Sequence, residues 1–359
     1  MKIEVVSNNN NNTGQMTLKA FHGTSQAFDG LDDKDELART LRRCRCEHMD
    51  ISPPSQLINW YEECKNLVGD SPTRAPAPAP VDPSTCIAVL KEPMGSRGTG
   101  VYFVRDSDEI HAIIEKNRKE ATSEEGFLDK LIAEKGRIPS WVLQAEVKPC
   151  LLIRDRRKFH IRTYVVCVET NVLLTEPLDG EEEEDLIKMF IYNRHEIRIA
   201  SKPVPASEEE ESGERDRDAH ITETYDRKLL QDEPELINRN LNTKVESFVA
   251  KAFDALLPDI ERRVAMSASV LDEENDNSGG CMVLPHKFAI AGLDLMVTED
   301  DRVYLLEVNV NPSAPPPETV QPGYQSHVTG FLHDLMELVT TKTVSTSDNF
   351  YSTQAVLQR

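Results

Sequence analysis

The stretch "FAIAGLDLMVTEDDRVYLLEVNVNPS", residues 288–313, decides the fold. Two apolar runs, 288–297 and 303–310, flank the polar residues "TEDD", which is the pattern of a β-hairpin closed by a tight turn. Side chains alternate along a strand, so Glu307 and Asn309 share a face. A turn centred on Asp300 and Asp301 sets Asp294 opposite Glu307, or within one residue of it. Two carboxylates facing each other across an apolar sheet repel and lose hydration. A divalent cation relieves both costs. Asp294, Glu307 and the amide of Asn309 are hard oxygen donors, the set that Mg²⁺ takes while keeping water and phosphate oxygens as its other ligands.

Two further segments carry chemistry of the same kind. In "RDRRKFHIRTYVVC" (154–167) the period of two turns Lys158, His160, Arg162 and Tyr164 one way and Phe159, Ile161, Thr163 and Val165 the other. A row of cations on one strand face suits a polyphosphate or an acyl-phosphate, and arginine adds forked, fixed donors. Farther on, "FIYNRHEIRIAS" offers Arg194 and Arg198 on what reads as the next strand. "VLKEPMGSRGTGVYF" reads as strand, glycine turn, strand, with Gly95, Gly98 and Gly100 in the turn and Lys91 ending the first strand. It lacks the helix that follows a dinucleotide fingerprint and the GK[ST] of a Walker loop. Its backbone N–H groups suit a nest over phosphates, with Lys91 in reach of them.

The rest of the chain bounds the reading. It has 359 residues, 62 acidic against 41 basic, and a net charge of -21, which excludes nucleic acid or an anionic membrane as the main partner. No apolar run reaches the ~18 residues of a membrane span. The start lacks the basic-then-apolar plan of a secretory signal, and the seven scattered cysteines read as reduced thiols, so a cytoplasmic protein is expected. The "CRCEH" at 44–48 has a C-x-C spacing that does not match structural zinc. Residues 1–75 read as a helical, partly disordered region, with helices in "KDELARTLRRC" and in "SQLINWYEECKNLV" capped by Ser55. The spacer "SPTRAPAPAPVDPS" sets the main boundary. Residues 76–150 then form one lobe, 151–342 a second, and 343–359 a polar tail. A helix capped by Ser107 or Asp108, a long amphipathic helix in "NTKVESFVAKAFDALLPDIERRV" and another in "HVTGFLHDLMELV" alternate with the strands, giving an α/β (α+β) class. The acidic runs at 179–185 and 209–219 read as solvated loops.

Taken in order over about residues 84–340, these pieces resemble the tubulin–tyrosine ligase-like family of the ATP-grasp superfamily. The hairpin is similar to that family's G-x-D…L-x-E-V-N-x-x-P-S signature, "RRKFHIRTYVV" to its K-F-D-I-R strand, "VLKEPMGSRGTGVYFV" to its nucleotide-covering lysine and glycine loop, and "HIT" (220–222) to the start of its H-L-T-N segment. The chain departs from the pattern at His160, where the family has Asp, and at Ala145, where a lysine often follows the hinge glutamine.

The resemblance implies an ATP-grasp fold, antiparallel sheets flanked by helices, with ATP held between two lobes. It implies an ADP-forming carboxylate–amine ligase that joins a free amino acid to a protein C-terminus or side-chain carboxylate through an acyl-phosphate. Asp294, Glu307 and Asn309 would hold Mg²⁺, Lys91 and Lys158 would contact phosphates, and Gln144 with the backbone to Val147 would form the adenine-side hinge. Arg162 and Arg194 would stabilise the transferred phosphoryl group, and His160 would orient substrate where relatives use a carboxylate. The implied partner is a protein acceptor such as tubulin, met by a monomer in the cytoplasm or at the cytoskeleton, with no nucleic acid and no membrane. The same fold also admits an ATP-binding scaffold without transfer, or a small-molecule ATP-grasp ligase.

Overall fold

The computed structural model describes residues 3–6, 17–20, 25–59, 88–93, 99–123, 139–153, 155–170, 187–205, 217–222, 226–268, 286–310, 312, 324–340 and 349–357. A hairpin of β1 (Ile3–Val6) and β2 (Thr17–Ala20) comes first, followed by helix α1 (Lys34–Arg43). Then β3 (Ser55–Asn59), β4 (Ala88–Lys91), β5 (Val101–Val104) and β6 (Ser140–Ala145) make a four-stranded antiparallel sheet in the order β3–β6–β4–β5. Helix α2 (Ser107–Ser123) connects β5 towards β6. It packs Ile110 and Ile114 onto Ala88, Leu90, Val104, Trp141 and Leu143, the core of this first lobe.

The cap of α2 is Asp106 rather than Ser107 or Asp108. Its Oδ1 accepts from the N–H of Asp108 and of Glu109 at 2.9 Å, while Glu109 reaches back to the N–H of Arg105 at 2.8 Å. That reciprocal pattern satisfies three otherwise orphaned donors.

The larger sheet is built on one long strand. β8 (Arg157–Thr170) has β7 (Leu152–Ile153) and β12 (His286–Val297) on one edge. On the other edge, β9 (Ile187–Tyr192) pairs with its far half and β10 (Glu196–Ile199) with its near half. Outer strands β11 (Asp226–Leu229), β13 (Val303–Val310) and β14 (Phe350–Ser352) flank β10, β12 and β9, all antiparallel. The short helices α3 (Arg217–His220) and α4 (Pro234–Ile237), the long α5 (Leu241–Ala268), α6 (Tyr324–Thr340) and the short α7 (Thr353–Leu357) complete the second lobe. No described helix is long and apolar enough to cross a membrane.

The two faces of β8 are covered differently, and this creates the site. Phe159, Ile161, Val165 and Cys167 join a core with Val245, Val249, Phe253, Leu256 and Ile260 of α5 and Leu37 and Leu41 of α1. On the other face, Tyr164, Val166 and Val168 lie under Phe331, Leu335, Leu338 and Val339 of α6. The latter cover stops at Tyr164. The near half of that face carries Lys158, His160 and Arg162, all buried, and is closed by the first lobe instead.

Two expectations about the amino-terminal region are corrected. Residues 55–59 are a strand, not the start of a helix, because they pair with the free edge of β6 over Ser55↔Gln144 to Asn59↔Ser140. An available sheet edge outweighs a weak local helical pattern. Ser55, expected to cap that helix, is instead the first residue of the strand, and residues 25–59 also contact both lobes. Asp35 Oδ2 accepts from the Ser140 N–H at 2.9 Å, and Arg39 donates to the Ser140 hydroxyl at 3.0 Å. The Ile51 carbonyl accepts from the Leu305 N–H at 2.7 Å. One segment thus ties β6 of the first lobe to β13 of the second. The Pro/Ala spacer, most of both acidic runs, Gly95 and Gly98 lie outside the described residues.

Candidate active site

The register of the late hairpin pairs Asp294 of β12 with Glu307 of β13. Between Asp294 and Leu295 the pairing slips, so Leu306 is an extra, unpaired residue of β13. The bulge frees the Leu306 carbonyl, which accepts a 3.1 Å bond from Lys91 Nζ, reaching across from the first lobe. Sheet pairing extends the same rung: Asp294 lies opposite Arg162 of β8, and Arg162 opposite Glu196 of β10. Four strands thus line up Glu307, Asp294, Arg162 and Glu196.

Arg162 grips Asp294 with two bonds, Nε to Oδ1 at 2.5 Å and Nη2 to Oδ2 at 2.9 Å. Asn309 donates to Asp294 Oδ2 at 3.1 Å and to the Gly292 carbonyl at 3.3 Å, and His160 Nε2 stands 3.3 Å from Asp294 Oδ1. Burial would raise the Asp294 carboxyl, but Arg162 and then His160 hold it well below the usual carboxylate range. Burial likewise works against the Arg162 charge and is outweighed by Asp294, so its affinity for a proton rises. Gly292 lets this happen: a β-carbon there would sit 3.0 Å from Arg162 Cδ and 3.3 Å from its Nη1. The glycine of the G-x-D pattern clears the path of the arginine to the aspartate.

The cleft between the lobes is lined by Lys91, Gln144, Val147, Lys158, His160, Asp294 and Glu307 together. Lys158 Nζ lies 2.8 Å from both Glu146 Oε1 and His220 Nδ1, and the His160 Nδ1 is bonded to the Thr222 hydroxyl. The "HIT" segment therefore forms one wall, with the His220 ring 5.1 Å from that of Phe103 of the first lobe. Burial pushes the Lys91 ammonium down to about 8, and Lys34 adds to the shift while Glu307 and Asp294 oppose it.

Other expected residues fall elsewhere. Arg162 is buried behind Asp294 and does not line the cleft, while the half-buried Asn309 bonds Asp294 from the strand that carries Glu307. Gly100 has φ +69° and cannot carry a side chain, since a β-carbon would meet Glu92 Cβ at 2.6 Å, but the cleft is lined by its neighbours Thr99 and Val101. Arg194 sits in the connection between β9 and β10 rather than on a strand. A β-carbon on Gly330 of α6 would be 4.0 Å from its Nη1, which places it on the α6 side of the sheet and outside the cleft. Arg198 does sit on β10, opposite His160, ion-paired to Glu196 at 2.7 Å.

Lys34, at the start of α1, lines the cleft and was not expected there. Its signal, a lysine opening a helix after "LDD", is local, whereas its placement depends on the tertiary docking of α1.

A family model described as "Tubulin-tyrosine ligase family" matches residues 30–344. The chain belongs to the tubulin-tyrosine ligase family. Its members are ligases of the ATP-grasp superfamily, and the mixed helices and antiparallel sheets agree with that fold. The match begins at residue 30, so α1 and β3 lie within the family region, ahead of residue 84 where the motifs begin. A protein named "Probable tubulin--tyrosine ligase PBY1" from Saccharomyces cerevisiae is 23% identical over 247 residues, covering 62% of this chain and 30% of that protein. The chain thus matches less than a third of this relative's length.

The residues present fit a divalent cation. Among the described residues nothing donates a hydrogen bond to the half-buried Glu307 carboxylate, although it faces Asp294 and the cleft. Asn309 uses its amide nitrogen for both its bonds, which leaves its oxygen as a donor atom for a cation.

Proposed function

We propose that this chain is an ATP-dependent, ADP-forming ligase that joins a free amino acid to a carboxylate of a protein acceptor. One observation carries the reading. Glu307, which takes no hydrogen bond from any described residue, lines a cleft with Lys34, Lys91 and Lys158 and stands opposite an aspartate already committed to arginine. Cationic groups around an open carboxylate suit a polyphosphate bound together with Mg²⁺.

Lys91 and Lys34 would bind phosphate oxygens, and Lys91 would exchange the Leu306 carbonyl for them. Lys158, oriented by Glu146 and His220, would hold the phosphates from the opposite wall. Gln144 to Val147, between the apolar side chains of Val89 and Met296, would receive the adenine. Glu307 and Asn309, with Asp294, would hold Mg²⁺, which supplies charge neutralisation on the phosphates.

The γ-phosphoryl group would pass to an acceptor carboxylate oxygen as ADP leaves. The amine would then attack the acyl carbon and expel phosphate. Arg162 fixes Asp294 and sets a permanent positive charge behind that wall. His160, bonded to Thr222, holds the "HIT" segment against β8 where relatives have an aspartate. Tubulin, named in the family's own description, is the first acceptor to try.

A second reading has its own observation. The grip of Arg162 on both oxygens of Asp294 leaves a cation only Glu307 and Asn309 without sharing, which suits an ATP-binding scaffold lacking transfer. The test is incorporation of labelled amino acids into extract proteins by the purified chain, with ADP release measured in parallel and Glu307→Gln as the blank. Transfer that Glu307→Gln abolishes supports the ligase. ATP binding with neither incorporation nor ADP release supports the scaffold.

A further inference from the structure

Ser52 belongs to the connector between α1 and β3, a segment with no assigned part in the site. Its hydroxyl has one proton, which it donates to the Pro53 carbonyl at 3.4 Å. The oxygen is therefore left as an acceptor, and it takes a bond from Gln144 Nε2 at 3.2 Å. The consequence is a fixed amide. With its NH₂ group turned to Ser52, Gln144 presents Oε1 in the other direction, and no described residue donates to that oxygen. The Gln144 side chain is 6% exposed and shares the cleft lining with the apolar side chains of Val89, Phe103, Val147 and Met296.

An aromatic base fits between such apolar walls, and a fixed polar atom at its edge discriminates between bases. Adenine carries an exocyclic amine, a donor, where guanine carries a carbonyl, an acceptor. A fixed acceptor pairs with the first and opposes the second. A site built to hydrogen-bond one group discriminates strongly against an analogue that leaves its buried polar atom unpaired.

We propose that Ser52 is the positioning residue for base selection: by fixing the Gln144 amide it makes the cleft prefer adenine over guanine nucleotides. The proposal rests on the nucleotide-binding reading of the cleft and adds a determinant to it. Ser52 acts only through Gln144. Neighbouring contacts keep the backbone in place without it, since the Ala145 N–H bonds the Pro54 carbonyl at 2.9 Å and β3 pairs with β6 directly. Removal of the hydroxyl frees the amide to turn its NH₂ group toward a guanine carbonyl.

The experiment is calorimetric titration of the full chain with ATP and with GTP in the presence of MgCl₂. Wild type is expected to favour ATP by ~10²-fold or more. Ser52→Ala should narrow that ratio by ~10-fold, chiefly by improving GTP, and Ser52→Thr should preserve it. Ser52→Val, matched in shape to Thr but lacking the hydroxyl, should behave like Ser52→Ala and separates hydrogen bonding from packing. Equal loss of affinity for both nucleotides in Ser52→Ala and Ser52→Val, with the ratio unchanged, would overturn the proposal and leave the nucleotide site standing. A wild-type protein that binds ATP and GTP equally overturns it too. A wild-type protein that binds neither overturns the nucleotide-site reading along with it.

Discussion

Asp259 and Asp294 are both buried and both held by arginine, and they do different things. Asp259 of α5 takes Arg262 at 2.6 Å, Arg263 at 2.6 Å and Arg43 of α1 at 3.4 Å. Asp294 of β12 takes Arg162, 132 positions away in the chain. Each has a second carboxylate nearby. Glu36, beside Asp259, is bound in turn by Arg43 at 2.8 Å and Arg263 at 3.4 Å. Glu307, beside Asp294, receives no hydrogen bond from any described residue, and Lys91, whose charge it favours, bonds a backbone carbonyl instead. The Asp259 cluster is a closed ion network pinning α5 to α1. The Asp294 cluster is closed on one side and open on the side that faces the cleft. An unmet carboxylate, rather than burial or a large shift in acidity, separates a site from a strut.

The sharpest way to break this contrast is at the open carboxylate. Glu307→Gln is expected to lower ADP release and amino-acid incorporation by at least ~10²-fold. Its melting temperature should hold, since no hydrogen bond from a described residue is lost. Asp259→Asn should do the reverse, losing stability and keeping the specific activity of the folded fraction. Turnover that survives Glu307→Gln would remove the metal assignment.

Next in size is the closed half. Arg162→Ala leaves the buried Asp294 with only Asn309 and His160 beside it and should cost ~3–5 kcal/mol in urea unfolding. Arg262→Ala, at a side chain 51% exposed, should cost under ~1 kcal/mol. Equal losses would show that the two clusters are alike after all. Gly292→Ala crowds Arg162 without touching a charge, and a loss of ~1–3 kcal/mol is expected as the arginine shifts off Asp294.

The smallest effects are in pH. Both aspartates are more acidic folded than unfolded, so each contributes stability above the ordinary carboxylate value of 3.8 that is lost as pH falls through the folded value. Lys91 has the opposite consequence. Its folded value of about 8 lies below the 10.5 of the unfolded chain. Its protonated form therefore costs stability at neutral pH, and the cost is relieved as pH rises from 8 to 10.5. Unfolding of the metal-free protein across that window should show a gain in wild type that Lys91→Met lacks. The same slope in both would mean that Lys91 is solvated as in the unfolded chain.

What the sequence made legible follows the range of the forces involved. The facing of Asp294 and Glu307 needs only strand alternation and a turn, both local, and so does the split of β8 into a cationic and an apolar face. The bulge at Leu306 has no sequence signal, because it depends on how Lys91 of the other lobe finds a carbonyl. Arg194 was expected on a strand with Arg198, but the chain breaks at Asn193–His195 to pass from β9 to β10, and Arg194 is left in the break. Lys34 reaches the cleft, and Ser52 reaches Gln144, only because α1 and β3 dock on sheets formed by residues about 90 to 250 positions later, which no local pattern encodes. Gly292 was visible as a motif residue, while its reason, room for Arg162, emerged from the packing.

β8 has a further consequence for how this protein can change over time. Its alternate residues belong to the cleft wall and to the α5 core, so fold and candidate site are written on one strand in interleaved positions. A single-residue insertion or deletion near Arg157 would exchange them, driving Lys158 and Arg162 into the apolar core and Phe159 and Ile161 into the cleft. Point substitutions along β8 keep that division, whereas a change of length keeps it only in the loops at the strand's ends.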